Sequence, residues 1–480
     1  MHVVSSILSS KGNVCIVIAK YGIEKVGREF EMKILCGYNI NIDAVVRVGD
    51  AGISDYIKEY DLADEIDASL KLGVTDIRSM ADLFAGLAHC MGSGEGAEYL
   101  IRDEAIFEDM KSRYLHLSTT RMGGNAGIMA NVLGGMDDAI VIANIPSLST
   151  LQASLFQNVS VPMGDTGLVS ASTGNPGNSV YSDNSDNSDN SHPCDLIHFV
   201  FDFNEGDEII VGDSVIRAPC DNRFIATFDE FNSRLFIDPF FKRYSILHAR
   251  EICGFTVSGF HLLMPEYPDG STYSDHIKEM VEHITSLKSA NPDMLVHLEF
   301  GHFAVPSILG AVIAEAVPVV DSVGMNEDEI VMYKGCEYVE NITDAILALA
   351  QGTGISRICV HTKEYVVSAV VKGFIEPDDE LDALFFGIGK ATSLASKGRP
   401  DVSYTSDCIT SAKGAIYLQE ILSSHGSVVS GASTKEGGYV DAGDWFICGV
   451  PALVCPDVVT TVGLGDTLTA GIFYHELKSR

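Results

Sequence analysis

Two rhythms of apolar residues alternate along this 480-residue chain. Short runs dense in Val and Ile occupy 138–146, 255–260, 293–300, 317–323 and 357–362. They read as buried strands, because a strand covered on both faces need not alternate with polar residues. Between several of them, at 341–350, 381–397 and 407–422, apolar positions recur every three or four residues and predict helices. Strand followed by helix, repeated, predicts an α/β fold with a large, mostly parallel sheet flanked by helices.

Three regions depart from this rhythm. Residues 195–236 carry strand-like alternation with polar residues and suit a smaller β-rich lobe. Residues 170–191 are Ser, Asn, Gly and Asp, with a threefold Asp-Asn-Ser repeat at 183–191, and are expected to be a disordered surface loop. Residues 1–31 read as an N-terminal extension that need not be native. A strand could run over 13–19, but Met32 stands just before the strand-like Lys33-Ile34-Leu35-Cys36 and could be the true start. The main unit is then 32–480.

Composition narrows the function. The chain is 46% apolar, enough for a large core with a second lobe. Its charge is 32 − 66 = −34, which disfavours nucleic acid and anionic membrane as partners. No apolar run reaches the length of a membrane span, and no signal peptide is legible. The 11 cysteines are scattered without a CxxC pair. They predict free thiols in a reducing cytoplasm, with neither a disulfide framework nor a clustered zinc site.

The strongest local signal is Thr461-Val462-Gly463-Leu464-Gly465-Asp466-Thr467, ahead of a helical run over 468–478. Gly463 and Gly465 let backbone approach a ligand, and the helix start offers free N–H groups to an anion. Asp466 can take the proton of an attacking hydroxyl, although an Asp there also serves as a plain helix cap. His297 and Glu299 end a predicted strand and share a face at its carboxyl edge, where open α/β sheets bind ligands. Asn326 and Glu329 lie three apart at a helix start, as a capping box or as part of a magnesium site with Glu299. Asn39, Asn41 and Asp43 alternate with Ile after the first strand and suit a sugar's hydroxyls. Gly123 and Gly124 open a second Gly-rich helix entry, and Arg223 could fork onto a phosphate.

In this order the segments resemble the ADP-dependent sugar kinases, the ADP-specific glucokinases and phosphofructokinases of the ribokinase-like superfamily. The resemblance rests on residues 39–44, 121–131, 222–225, 258–262, 297–300, 322–329 and 461–467, and covers the chain from about Met32 onward. It implies a ribokinase-like domain with a smaller discontinuous α+β lid, drawn from parts of roughly 40–130 and 195–236. It implies ADP as phosphoryl donor, a small-molecule sugar as acceptor, AMP as product and Mg2+. Asp466 would be the base, with Gly463 and Gly465 forming the anion hole, and Glu299 and Glu329 would organise the metal. Asn41, Asp43, Gly123, Gly124 and Asn125 would hold the sugar. Arg223 would contact the nucleotide phosphates, with the adenine near His361 and Val454.

Departures fall on the sugar side. The family's GGQAG reads Gly123-Gly124-Asn125-Ala126-Gly127 here, and its SGxQ reads Ser258-Gly259-Phe260-His261. Cys220 stands where phosphofructokinase members carry a basic residue, and 164–169 contain no Lys. The resemblance therefore favours an unphosphorylated hexose such as glucose, with Glu98 as a hydroxyl partner, over fructose 6-phosphate, unless Arg217 replaces the missing cation. Two other readings stay open. One is an ATP-dependent sugar or nucleoside kinase of the same superfamily. The other is a sugar-binding regulator that has lost catalysis. The sequence leaves the oligomeric state open.

Overall fold

The computed structural model describes residues 31–164, 167–172, 195–335, 341–400, 407–431 and 437–480, and the backbone of an antiparallel pair, Val14–Ala19 with Gly22–Gly27. The Asp-Asn-Ser repeat lies outside the described residues.

The Val/Ile runs do form the centre of a 12-stranded sheet. Seven strands, Val159–Met163, Ala139–Ala143, Met32–Gly37, Ile252–Val257, Leu295–Glu299, Ser322–Asn326 and Arg357–His361, lie side by side and parallel. Antiparallel strands close both sides. Gly167–Ser170 joins one edge, and Tyr365–Val371, Trp445–Pro451, Gly438–Ala442 and Val429–Ser430 extend the other. Successive residues of the parallel strands face opposite cores. Leu35, Phe255 and Val296 pack with helices Tyr273–Ala290 and Ile342–Thr353. Ile34, Cys36 and Leu295 pack toward Asn125–Gly134 and the terminal helix Leu464–Ser479. Burial on both faces is why these strands are almost uniformly apolar.

Two boundaries differ from expectation. Residues 317–323 are not one strand: Val317–Val319 makes a short turn of helix around Pro318, and the strand begins at Ser322. Proline has no N–H for a sheet ladder, so the apolar run there packs as a turn. The helix expected over 407–422 begins at Ala412, capped by Ser411, and Ile409–Thr410 pairs instead with Leu453–Val454. Beside that pair Cys408 and Cys455 form a disulfide, 47 residues apart in sequence, where free thiols were expected.

A second sheet has six strands in the order Asp76–Ile77, Ala97–Ile101, Asn222–Thr227, Ile197–Phe203, Asn41–Arg47 and Thr119–Gly123. One face is apolar: Ile42, Ala44, Phe199, Phe201 and Phe224 pack on helices such as Met80–Ser93. The alternate residues, among them Asp43, His198 and Thr227, lie on the other face. The chain crosses between the two sheets four times, and asparagines pin the crossings together. Asn232 accepts from the Ile40 N–H and donates to the Ile40 carbonyl, both at 3.1 Å. Asn39 reaches Asn125, also at 3.1 Å. No helix among the described residues is long and apolar enough to cross a membrane.

Candidate active site

The terminal helix begins at Leu464 behind Gly463, whose φ of 74° is the left-handed conformation that glycine adopts without strain. No side chain caps this start. The first-turn N–H groups therefore have no side-chain partner, and the helix dipole leaves them partly positive. Gly465 sits against His361, where an added Cβ would come within 2.9 Å of Cε1. Asp466 follows in the same turn. Its Oδ1 accepts a hydrogen bond from Asn125 Nδ2 at 2.7 Å. Burial, then the charge of Glu299, pushes the Asp466 carboxyl up to about 6, against the pull of Asn125 and His361.

Glu299 ends its strand as the sequence implied, and it is buried. Its Oε2 accepts from His297 Nε2 and from Thr469 Oγ1, both at 3.1 Å, and His361 Nε2 stands 3.6 Å from Oε1. Burial raises the Glu299 carboxyl, but the two histidines overcome it and leave it at about 2. The strand beside it needs Gly324, because a side chain there would overlap Glu299. Asn326 and Glu329 form the capping box: Asn326 Oδ1 accepts from the Glu329 N–H and Glu329 Oε2 from the Asn326 N–H, both at 2.9 Å. Burial and the charge of Glu299 lift Glu329 to about 7, against the Asn326 N–H.

Behind Glu299 lies a network that the sequence did not disclose. His297 Nδ1 meets Ser322 Oγ at 2.9 Å, and Arg357 Nη1 donates to the same oxygen at 3.1 Å. Arg357 pairs with Glu380 at 2.8 Å and Glu476 at 2.6 Å, and all three are buried. Burial pushes Glu476 up to about 8 in spite of Arg357.

The second sheet contributes a row of side chains set by strand register. Arg121 is opposite Asp43, Asp43 opposite His198, and His198 opposite Thr227. Asp43 and Arg121 stand 3.5 Å apart. Thr227 Oγ1 donates to Glu98 Oε1 at 2.6 Å, and His198 lies 3.6 Å from the same oxygen. On its other side His198 Nε2 meets Asp229 at 3.1 Å. Burial lowers the His198 pKa, but Asp229, Glu98 and Asp43 outweigh it and raise it. Asn41 donates to Asp43 at 2.9 Å. Gly123 packs so closely on Asp43 and Asn41 that any side chain would overlap them, and Gly124, at φ 72°, sits against the Asn39 carbonyl. Arg223 reaches this group electrostatically, acting on both Asp43 and Arg121.

Val454 pairs with Ile409 at the rim, and both are exposed. Glu364 ties this pair to the neighbourhood of His361, accepting from Ser411 Oγ at 2.6 Å and from the Ala452 N–H at 2.8 Å. The geometry thus gathers Asp466, Asn125, Asp43, Gly123, Gly124, Glu299, Glu329 and His361 around one cleft. Arg217, the possible replacement cation, is paired with Glu208 on its own hairpin. Arg121, His198 and Asp229 were missed by sequence reasoning. Arg121 stood inside a motif that was read for its glycines.

Residues 32–475 match the ADP-specific phosphofructokinase/glucokinase conserved region. The ADP-dependent glucose/glucosamine kinase of Pyrococcus abyssi is 29% identical over 473 residues, covering 93% of this chain and 94% of that protein. The ADP-specific phosphofructokinase of Methanosarcina acetivorans is 26% identical, covering 91% of each. A crystal structure of a hypothetical ADP-dependent phosphofructokinase from Pyrococcus horikoshii superposes with a TM-score of 0.74 at 25% identity, over 94% of this chain and 98% of that one.

Proposed function

The chain belongs to the ADP-specific phosphofructokinase/glucokinase family, and from that premise we propose that it moves the terminal phosphoryl group of ADP onto a hexose hydroxyl, with AMP as product. The relatives carry both glucose and fructose-6-phosphate kinase names, so the acceptor is argued from this chain's own cleft. The observation that carries the proposal is the approach of Asp466, at an uncapped helix start, to the lid row through Asn125.

Asp466 takes the proton of the acceptor hydroxyl. The freed oxygen attacks the β-phosphorus of ADP, and the bond from that phosphorus to the bridging oxygen breaks, leaving AMP with the oxygen. The N–H groups after Gly463 receive the negative charge of the transferring group. Arg223 contacts the phosphates, and the exposed Val454–Ile409 pair beside His361 gives the adenine a flat apolar seat.

Asn41, Asp43 and Glu98 hold the sugar hydroxyls against the Gly123–Gly124 turn, with His198 as a further partner. This pocket is rich in carboxylates, and its cation Arg121 is already 3.5 Å from Asp43, with Nε and Nη2 buried without a hydrogen-bond partner. It favours glucose over fructose 6-phosphate. The second sheet, from 41–123 and 197–227, acts as the lid.

Magnesium suits the donor set in one way. No cluster of three or more His, Cys, Asp or Glu side chains among the described residues forms a cage. Yet Glu299, Glu329 and Asp466 act on one another as like charges, and the oxygens of Glu299 and Glu329 already accept protein hydrogen bonds. That combination fits an ion held through water and substrate phosphate. Bound there, it would neutralise charge on the phosphates. A cytoplasmic setting stays part of the proposal, and the Cys408–Cys455 pair is the observation against it.

Glucose and fructose 6-phosphate, each offered with ADP and with ATP, test the reading. AMP formed from ADP with glucose supports it. AMP formed only with fructose 6-phosphate overturns the sugar, turnover with ATP alone overturns the donor, and binding without turnover makes the protein a regulator.

A further inference from the structure

Asn125 occupies a position where the family resemblance places a sugar contact, but its amide is spent on protein. Its Oδ1 accepts from Asn39 Nδ2 at 3.1 Å and its Nδ2 donates to Asp466 Oδ1 at 2.7 Å. An isolated amide can be turned either way round, so its polarity carries no weight unless its partners fix it. Here they do. The Ala126 backbone N–H, which can only donate, points at Asn39 Oδ1 from 3.3 Å. Ser258 Oγ donates to the same oxygen at 2.6 Å. Asn39 must therefore present its Nδ2 to Asn125. Asn125 in turn must present its own Nδ2 to Asp466.

The consequence falls on the base. Asp466 is partly buried and makes no other side-chain hydrogen bond among the described residues. Oδ1 is occupied by Asn125, which leaves Oδ2 to receive a proton. Without that tether the carboxylate would turn freely about its last two torsions, at the start of a helix whose N–H groups attract it. The charged groups facing it are Glu299 from the strand Leu295–Glu299, His361 from Arg357–His361, Asp43 from the lid and Glu329 from Glu327–Lys334. None of these hydrogen-bonds it.

We propose that Asn125 is a positioning residue: its amide, held one way round by Asn39, Ala126 and Ser258, aims Asp466 at the acceptor hydroxyl and does not itself grip the sugar. Because Asn39 and Asn125 lie on different crossings between the two sheets, the aim of the base depends on how those crossings meet.

The inference rests on the reading of Asp466 as base, and the test keeps the two apart. Asn125→Leu removes the donor at similar volume, and Asn125→Gln, the residue of the family motif, keeps a donor. Each is made alone and in Asp466→Asn. Sugar KM, kcat and the Kd for ADP are measured, and ADP binding also reports folding. If Asn125→Leu is unstable, Asn125→Ala takes its place. The expected result is a kcat about 100-fold lower in Asn125→Leu, as an Å-scale misplacement of a reacting group gives. KM and Kd should stay within about twofold, with kcat recovered at least about tenfold by Asn125→Gln. On Asp466→Asn, Asn125→Leu should lower the residual rate by less than about twofold, since two residues acting as a unit are not additive. A raised sugar KM at unchanged kcat makes Asn125 a sugar contact and overturns the proposal. So does an equal loss in both backgrounds. Full activity of Asp466→Asn alone strikes down the base itself, a result read without any change at 125.

Discussion

The two walls of the cleft are wired differently. On the large-sheet wall, buried polar and charged groups are linked through several layers: Glu299 to His297, His297 to Ser322, Ser322 to Arg357, and Arg357 to Glu380 and Glu476. On the lid wall, Arg121 keeps two buried nitrogens without a hydrogen-bond partner, and Glu98 is only partly covered. A buried donor left unmade costs about 1–3 kcal/mol, so the lid wall holds binding capacity that a ligand can release. The large-sheet wall also has unmade hydrogen bonds, at Arg357 Nη2, Glu380 Oε2 and both oxygens of Glu476, but they belong to the buried layer behind Glu299, whose own Oε2 is already bonded. It is preorganised, with its dipoles fixed before the substrate arrives, as a site for developing charge requires. The difference teaches that the proposed phosphate side holds Glu299 by hydrogen bonds from His297 and Thr469 before any ligand arrives, whereas the proposed sugar side leaves Arg121 nitrogens for a ligand to meet.

The comparison breaks most visibly at the base. Asp466→Asn should lower kcat by about 1000-fold, within the range for a general base, while the Kd for ADP holds. Steady-state AMP production with equilibrium nucleotide binding checks this, and a loss confined to ADP binding would transfer Asp466 from chemistry to the anion hole.

Next in size is stability. Arg357→Met leaves Glu380 and Glu476 facing each other in the core and should cost about 3–5 kcal/mol in urea unfolding. Arg121→Met, on the lid wall, should cost under about 1 kcal/mol, because it removes a cation that is only partly paired. Equal costs would mean that the two walls are built alike.

The pH profile comes third. The Asp466 carboxyl is raised from 3.8 to about 6, so the base is ionised above that pH and protonated below it. kcat should be flat above pH 6 and fall about tenfold for each unit below it, until the protein unfolds. Asp466→Asn should lose that limb.

The smallest effect is expected from Glu98→Gln. It should raise sugar KM by about tenfold, or about 1.4 kcal/mol, with kcat little changed. An unchanged KM would remove Glu98 from the sugar side.

Legibility in the sequence follows the same division. Asp466 and Glu299 could be found because their meaning is local: a Gly-flanked helix start, and period-2 alternation at the end of an apolar strand. The parallel centre was legible because burial on both faces writes an apolar run. Residues 317–323 misled because Pro318 turns such a run into a helical bend. The antiparallel edge strands Tyr365–Val371 and Trp445–Pro451 carry no signal that assigns them to one sheet. His198 and Asp229 were out of reach for another reason. His198 faces Asp43 and Glu98 only through the register of strands about 100 to 155 residues apart, and Asp229 enters only as the partner of His198. Arg357 was hidden inside a strand read as apolar, where its two carboxylate partners supply what hydropathy would deny it.

The strand order of the second sheet also sets an order of assembly. Its four earliest strands form two separate pairs, Asp76–Ile77 with Ala97–Ile101 and Asn41–Arg47 with Thr119–Gly123. Neither pair touches the other until Ile197–Phe203 and Asn222–Thr227 wedge between them. As the chain is synthesised, about 75 residues must follow Gly123 before the first of these keystone strands exists, and non-local pairing of this kind is slow. The two early pairs then wait as half-sheets with open edges, so the row of Arg121, Asp43, His198 and Thr227 can come into being only once those two strands are in place.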